Sequence, residues 1–272
     1  MSKFKKIRMY IVLWIGVIVM VFPFVWMILC SFKSVSELNS IPIQYLPSNW
    51  NFNNYKEALA TVPFPKMYWN TLLMIGGRVF CALLFSSMAA YGFARLNFPF
   101  KNFLFTIVIF QMMVPAQIFL IPQYQMLAAI GMLNSIFALI FPGLVSAFGT
   151  FLLRQSFMSL PVELEEAATL DGCNKGQIYT RILIPLVKPG LVSLAVFTAL
   201  FSWKDLMWPL IVNMDLNKMP ISSGLSVLKS IHITNEGILM AGSTMAFIPM
   251  LILYAICQKQ FIEGIAQSGL KG

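Results

Sequence analysis

Formal charge is scarce in this 272-residue chain: Asp, Glu, Lys and Arg make up 11% of it, against 58% hydrophobic residues. A soluble domain carries about 25% charged and about 45–50% apolar residues, because its surface must be hydrated. The shortage excludes an ordinary water-soluble fold and leaves a bilayer as the solvent. Histidine is nearly missing, with His232 alone, so neither an acid–base triad nor an imidazole metal cluster can be assembled. The four cysteines, Cys30, Cys81, Cys173 and Cys257, stand far apart without a CxxC pair, which excludes a disulfide framework and a zinc site. No GxxxxGK[ST] run is present, so the chain has no phosphate cradle of its own. The apolar stretches are continuous, without the alternation of barrel strands. Acids are few as well, ten against 19 Lys and Arg, for a net charge of +9. Many of the bases sit in short runs beside apolar segments, a pattern that orients membrane proteins and does not bind nucleic acid.

Long hydrophobic runs are what the chain has in quantity. About 20 apolar residues cross about 30 Å of hydrocarbon at 1.5 Å per residue. Six segments qualify, at 10–30, 71–94, 103–120, 135–153, 189–212 and 238–257, so the expected fold class is an all-α integral membrane protein with six transmembrane helices. The first run has 21 residues and no small-x-small site after it, too long for a signal peptide; it reads as an uncleaved anchor. Pro115, Pro142, Pro209 and Pro249 fall inside spans, which a bundle tolerates when neighbours satisfy the freed carbonyls. With the N-terminus inside, the inner segments hold 12 Lys and Arg and the outer segments five, so both termini are expected to be cytoplasmic. One transmembrane domain, with a core over 69–265, then carries an irregular extracytoplasmic loop at 31–70 and a long cytoplasmic loop at 155–188.

That inner loop holds four of the ten acids. Pro161 suits a first helical position, Glu163, Glu165 and Glu166 oppose the positive end of the helix dipole, and Gly172 suits a left-handed cap. Asn174 then caps a second helix through Ile178, Ile182 and Leu183 that ends before Pro185. Helix, glycine turn, helix is the expectation. Acids in a first turn usually do no more than complement the dipole.

The spacing Glu166-Ala167-Ala168, three residues, Gly172, nine residues, then Ile182-Leu183-Ile184-Pro185 resembles the EAA loop in membrane-spanning subunits of ABC importers. Cys173 stands where that family usually has Ala, and Ile184 where it has Leu. The resemblance extends over nearly the whole chain, through Ser31-Phe32-Lys33, Asn54-Tyr55, Ala89-Ala90-Tyr91-Gly92-Phe93-Ala94-Arg95, Phe261-Ile262-Glu263-Gly264 and Gly269-Leu270-Lys271-Gly272. Together these are similar to the carbohydrate branch, in particular to the smaller permease of maltose-type systems. The resemblance implies a type I importer fold in the cytoplasmic (inner) membrane and a chain that is not itself an enzyme. Its partners would be a second, homologous permease, two ATPase subunits that bind ATP and Mg, an extracytoplasmic solute-binding protein, membrane lipid and a sugar. It assigns the ATPase contact to Glu163, Glu166, Ala167, Ala168, Asp171 and Gly172, and lets the tail at 267–272 reach the ATPase dimer.

Charges inside spans are costly and mark candidate transport residues. Trp203, Lys204 and Asp205 interrupt the fifth apolar run, at a place where sugar permeases usually read Trp-Asn-acid. Trp203 would offer an aromatic face to a sugar ring, and Asp205 would accept hydroxyl hydrogen bonds. The alternative is a structural intramembrane pair in which Lys204 neutralises Asp205. Gln111 and Gln117 in the third span either line the path or bond a neighbouring helix. Arg78, about eight residues into the second span, is expected to snorkel outward in a structural role. The function read from these residues is alternating-access import of a sugar or oligosaccharide. Rival readings are an ABC importer for an amino acid, polyamine or phosphate, or a secondary transporter.

Overall fold

A computed structural model describes residues 3–232 and 235–269. No strand occurs among the described residues. The helices are α1 (Lys3–Ser31), α2 (Val35–Leu38), α3 (Asn53–Thr61), α4 (Phe64–Arg95), α5 (Lys101–Met113), α6 (Ala116–Ala129), α7 (Ile136–Gly143) and α8 (Ala147–Met158). They continue with α9 (Glu163–Leu170), α10 (Lys175–Leu186), α11 (Lys188–Lys204), α12 (Met207–Val212), α13 (Ile221–Ile231) and α14 (Glu236–Gly269). Three of them, α1, α4 and α14, are long and apolar enough to cross a membrane. The pairs α5/α6, α7/α8 and α10/α11 pass the same test together but bend by 101°, 47° and 75°, which allows up to six spans.

Breaks in the helices correct three expected spans, two of them at these bends. The third run ends at Met113, because Pro115 has no N–H to give the carbonyl of Gln111 and the chain turns there. The fourth breaks after Pro142, and the fifth breaks between Lys204 and Met207. The second is longer than expected. It begins at Phe64, where Pro65 falls within the first turn and needs no donor, so the irregular segment after α1 is shorter than 31–70.

Two compact units divide the chain. One contains α1 to α3 with Ser223–Leu251. There the sequence fragments 31–33 and 54–55 meet. Asn54 donates from Nδ2 to the carbonyls of Ser31 and Lys33, at 2.9 Å each, and the Tyr55 hydroxyl lies 2.7 Å from Ser31 Oγ. Lys33 is buried, with Nζ donating to the Gln44 carbonyl and lying 4.1 Å from the centre of the Trp26 ring. Ser34 and Glu37 cap α2 reciprocally, and backbone N–H groups of Ser34 and Ser48 hold the Glu37 carboxyl down at about 2. Along α1, apolar side chains such as Trp14 (65% exposed) and Met20 (75%) are left uncovered by this chain. Such a surface is stable only against lipid or another apolar partner.

The second unit contains Pro65–Ser222 and the chain from Ile252 on. Two apolar cores among its described residues are built on the broken helices. One packs Tyr91, Leu153, Phe157, Ile178, Leu183 and Leu194 where α4 and α8 meet α10 and α11. The other packs Met74, Leu127, Leu139, Trp208 and Val212. Residues 270–272, part of the expected tail, lie outside the described residues.

Candidate functional site

The acidic segment folds as anticipated into a short helix closed by glycine. Gly172 has φ +82°, a left-handed position that a side chain would strain. Gly172 N–H donates to the Thr169 carbonyl at 3.1 Å and Cys173 N–H to Ala168 at 2.9 Å, the double closure of a Schellman end, with Cys173 packed on the core beneath. Pro161 does not occupy the first turn; Val162 is the N-cap and the helix opens at Glu163. The expected cap by Asn174 is present, with its side chain accepting from Gln177 N–H at 2.9 Å. The second helix runs through Pro185 to Leu186 and does not stop before it. Residues Ile178–Leu183 form a wide π turn just where Pro185 cannot donate to the Arg181 carbonyl.

The faces of α9 differ in chemistry. Glu163, Glu166, Ala167 and Leu170 are exposed on it, as are Asp171 and Gly172 at its end, whereas Glu165 and Ala168 are buried. Of the six residues assigned to the partner contact, Ala168 therefore lies on the inner face, in the core with Phe157 and Ile178. Glu165, absent from that set, forms an ion pair with Arg95 at 2.8 Å. Arg95 Nη2 also donates to the carbonyls of Phe157 and Leu160, at 2.7 Å each. The pattern that distinguishes Glu165 is legible in the sequence: 165 and 168 share a face one turn apart, opposite 163, 166 and 170.

The candidate transport residues divide differently. A cavity of about 1850 Å³ within the second unit is lined by Gln111, Gln117, Phe148, Lys204, Asp205 and Trp208 among others. The two glutamines come from α5 and α6, on opposite sides of the 101° bend, and not from one straight span. Trp203 is half-buried and does not line the cavity. Asp205 is not neutralised by Lys204. It pairs with Arg78 at 2.8 Å, and Lys204 is exposed. Arg78 does not snorkel outward, since it is 6% exposed and its stem crosses Gly143, where an added Cβ would lie 2.5 Å from Arg78 Cγ. Two opposite charges in different spans were the available signal for this pair.

The walls of the cavity include broken helices, and three of the carbonyls freed there accept from side-chain donors. Pro142 offers no N–H to the Ala138 carbonyl, and the Trp208 indole donates there at 2.8 Å. As α7 tightens into a 3₁₀ turn, Arg78 Nε donates to the Leu139 carbonyl at 2.8 Å. Pro209 frees the carbonyl of Asp205, which accepts from Ser222 Oγ at 2.6 Å. An apolar medium tolerates such breaks only when the freed groups are satisfied inside the protein. No group of three or more His, Cys, Asp or Glu that would hold a metal ion occurs among the described residues.

Residues 82–266 match the family described as "Binding-protein-dependent transport system inner membrane component". The chain is 34% identical over 259 residues to the arabinooligosaccharides transport system permease protein AraQ of Halalkalibacterium halodurans, covering 93% of this chain and 91% of that one. It is 29% identical to the lactose transport system permease protein LacG of Rhizobium radiobacter, covering 98% and 97%. Among solved structures, a chain of a bacterial ABC transporter involved in import of the acidic polysaccharide alginate superposes with a TM-score of 0.81 at 24% identity, covering 95% and 98%. That likeness is one of fold, and the fold is the all-helical one expected from the sequence.

Proposed function

This chain belongs to the family of binding-protein-dependent transport system inner membrane components, and from that premise we propose that it is the permease subunit of an ATP-driven importer for a sugar or oligosaccharide. It works with a solute-binding protein and further subunits. We assign these as a second, homologous permease and two ATPases that bind ATP and Mg. The outward face of α9 is the ATPase contact, and both chain termini lie on that cytoplasmic side. The observation that carries this reading is the division of α9 into an exposed acidic and small-residue face over a buried, anchored one. A rigid helix with exposed Glu163 and Glu166 and small Ala167 suits a groove that presents an arginine. Arabinooligosaccharide and lactose permeases among its relatives support a sugar cargo.

In the proposed cycle, closure of the ATPase dimer displaces α9, and the broken helices around the cavity exchange inward for outward access. Gln111, Gln117 and Lys204 then present hydrogen-bonding groups to the passing sugar, while Asp205 is held by Arg78 as part of the wall. Trp203 acts from behind that wall. The test is copurification: Glu166→Lys is expected to release the ATPase subunits from a complex that the unaltered permease retains. Full retention by Glu166→Lys, or transport by this chain alone, overturns the reading.

A further inference from the structure

We infer that Arg95 is the mechanical link through which α9 drives the membrane-spanning helices α4 and α8, with Glu165 as its handle on α9. This rests on α9 being the ATPase contact proposed above.

One guanidinium joins three elements. Arg95 is the last residue of α4, its Nη2 holds two carbonyls at the C-terminal end of α8, and its Nε faces the Glu165 carboxylate. The carbonyls of Phe157 and Leu160 stand where α8 ends and has no further N–H of its own to offer. Both side chains of the ion pair are only 9% accessible, so water competes weakly for them. Elsewhere α9 is joined to α8 by Leu160-Pro161-Val162 and packs through Ala168 on apolar residues of α8 and α10.

The distinction between these contacts is mechanical. Apolar packing resists compression, because atoms cannot overlap, but it resists sliding and separation weakly, since dispersion contacts are individually small and non-directional. A cycle that moves α9 toward and away from the bundle needs a contact that also holds under tension and shear. Coulomb attraction across 2.8 Å opposes separation of Glu165 from Arg95, and two directional, charge-assisted hydrogen bonds fix the same guanidinium to the end of α8. Glu163 and Glu166 are exposed and free to serve the partner, while Glu165 is committed inward. Arg95 does not touch the cavity, so it acts as a positioning residue.

The test uses the complete transporter in proteoliposomes, with the four native cysteines replaced by serine and Gln117→Cys placed in the cavity wall as a reporter. Maleimide labelling of that cysteine is compared with and without ATP and vanadate, alongside ATPase copurification. In the parent complex, nucleotide trapping is expected to change the labelling rate at least fivefold. In Arg95→Gln and in Glu165→Gln, the ATPase is expected to remain bound and trap nucleotide normally while the labelling change falls below twofold. Glu165→Gln keeps both carbonyl bonds of Arg95, so it is the variant that tests the link if Arg95→Gln does not assemble. Arg95→Glu combined with Glu165→Arg restores the charge pair and is expected to recover more of the response than either change alone. A parent-like response in Glu165→Gln overturns the inference, as does loss of ATPase binding in step with loss of response. Neither outcome depends on Glu166→Lys, whose failure to release the ATPase removes the underlying reading instead.

Discussion

Removing either member of the Arg78–Asp205 pair should cost more than removing both. Breaking a buried ion pair from one side costs about 3–5 kcal/mol, because the other charge is left desolvated. Arg78 is 8% accessible and Asp205 22%, on a cavity that admits water, so the lower end applies. Asp205→Asn strands the more buried guanidinium, at about 3 kcal/mol. Arg78→Met lets the carboxylate turn toward cavity water, but it leaves the Leu139 carbonyl without its donor at about 1–2 kcal/mol more, for a similar total. In the double variant no charge is stranded, and what remains is the carbonyl, at about 1–2 kcal/mol. With about 2–4 °C of melting shift per kcal/mol for a chain of this class, each single variant should melt about 6–12 °C lower and the double variant about 2–8 °C lower. The assay is the thermal midpoint of the detergent-solubilised complex followed by size-exclusion fluorescence. A double variant that melts below both single ones, or an Asp205→Asn that melts like the parent, refutes the reasoning.

Trp208→Phe keeps an aromatic ring in the core but leaves the Ala138 carbonyl freed by Pro142 without a donor, and should lower stability by about 1–3 kcal/mol in the same melting assay. Gly149→Val tests the close approach of α8 to α4 and α11. A Cβ there would lie 2.7 Å from Ser86 Oγ and 3.0 Å from Leu194, so overpacking should cost about 1–3 kcal/mol and reduce the amount of folded permease recovered, with partial recovery on adding Ser86→Gly.

The all-helical class, the approximate places of the apolar runs and the glycine-closed helix at Glu163–Leu170 were readable because each depends on local chemistry. Run length, a proline that cannot donate, and a residue at φ +82° are properties of short stretches. The bends were half readable. Pro115, Pro142 and Pro209 were visible inside spans, but whether proline kinks a helix or breaks it depends on which distant donors reach the freed carbonyls. Those donors, Trp208 for Ala138 and Arg78 for Leu139, stand 70 and 61 residues away in sequence. Asp205 shows the same limit. Lys204 is its neighbour in the chain, yet the residue that neutralises it is Arg78, because a residue next in sequence on a helix points to a different face. Arg95 and Glu165 were named in the sequence as parts of two separate motifs, and only folding joins them.

Among the described residues, the two buried ion pairs each use an arginine of the same helix, and this gives α4 a particular place in the fold. It runs unbroken from Phe64 to Arg95, whereas the other helices around the cavity are interrupted. Arg95 at its end holds the handle of α9, and Arg78, 17 residues earlier, holds Asp205 at the break between α11 and α12. At 1.5 Å per residue those grips are about 25 Å apart along one continuous helix. A continuous helix resists stretching through its ladder of hydrogen bonds, while the broken ones can change angle at Pro142 and at Asp205-Leu206 with little loss, since their freed carbonyls are already held by side chains. Displacement applied at Glu165 therefore has a stiff path to the cavity wall and compliant joints when it arrives. If α4 is the rod, a helix-breaking change between its grips, in a stretch that contacts neither α9 nor the cavity, should separate nucleotide trapping from cavity labelling as Glu165→Gln does.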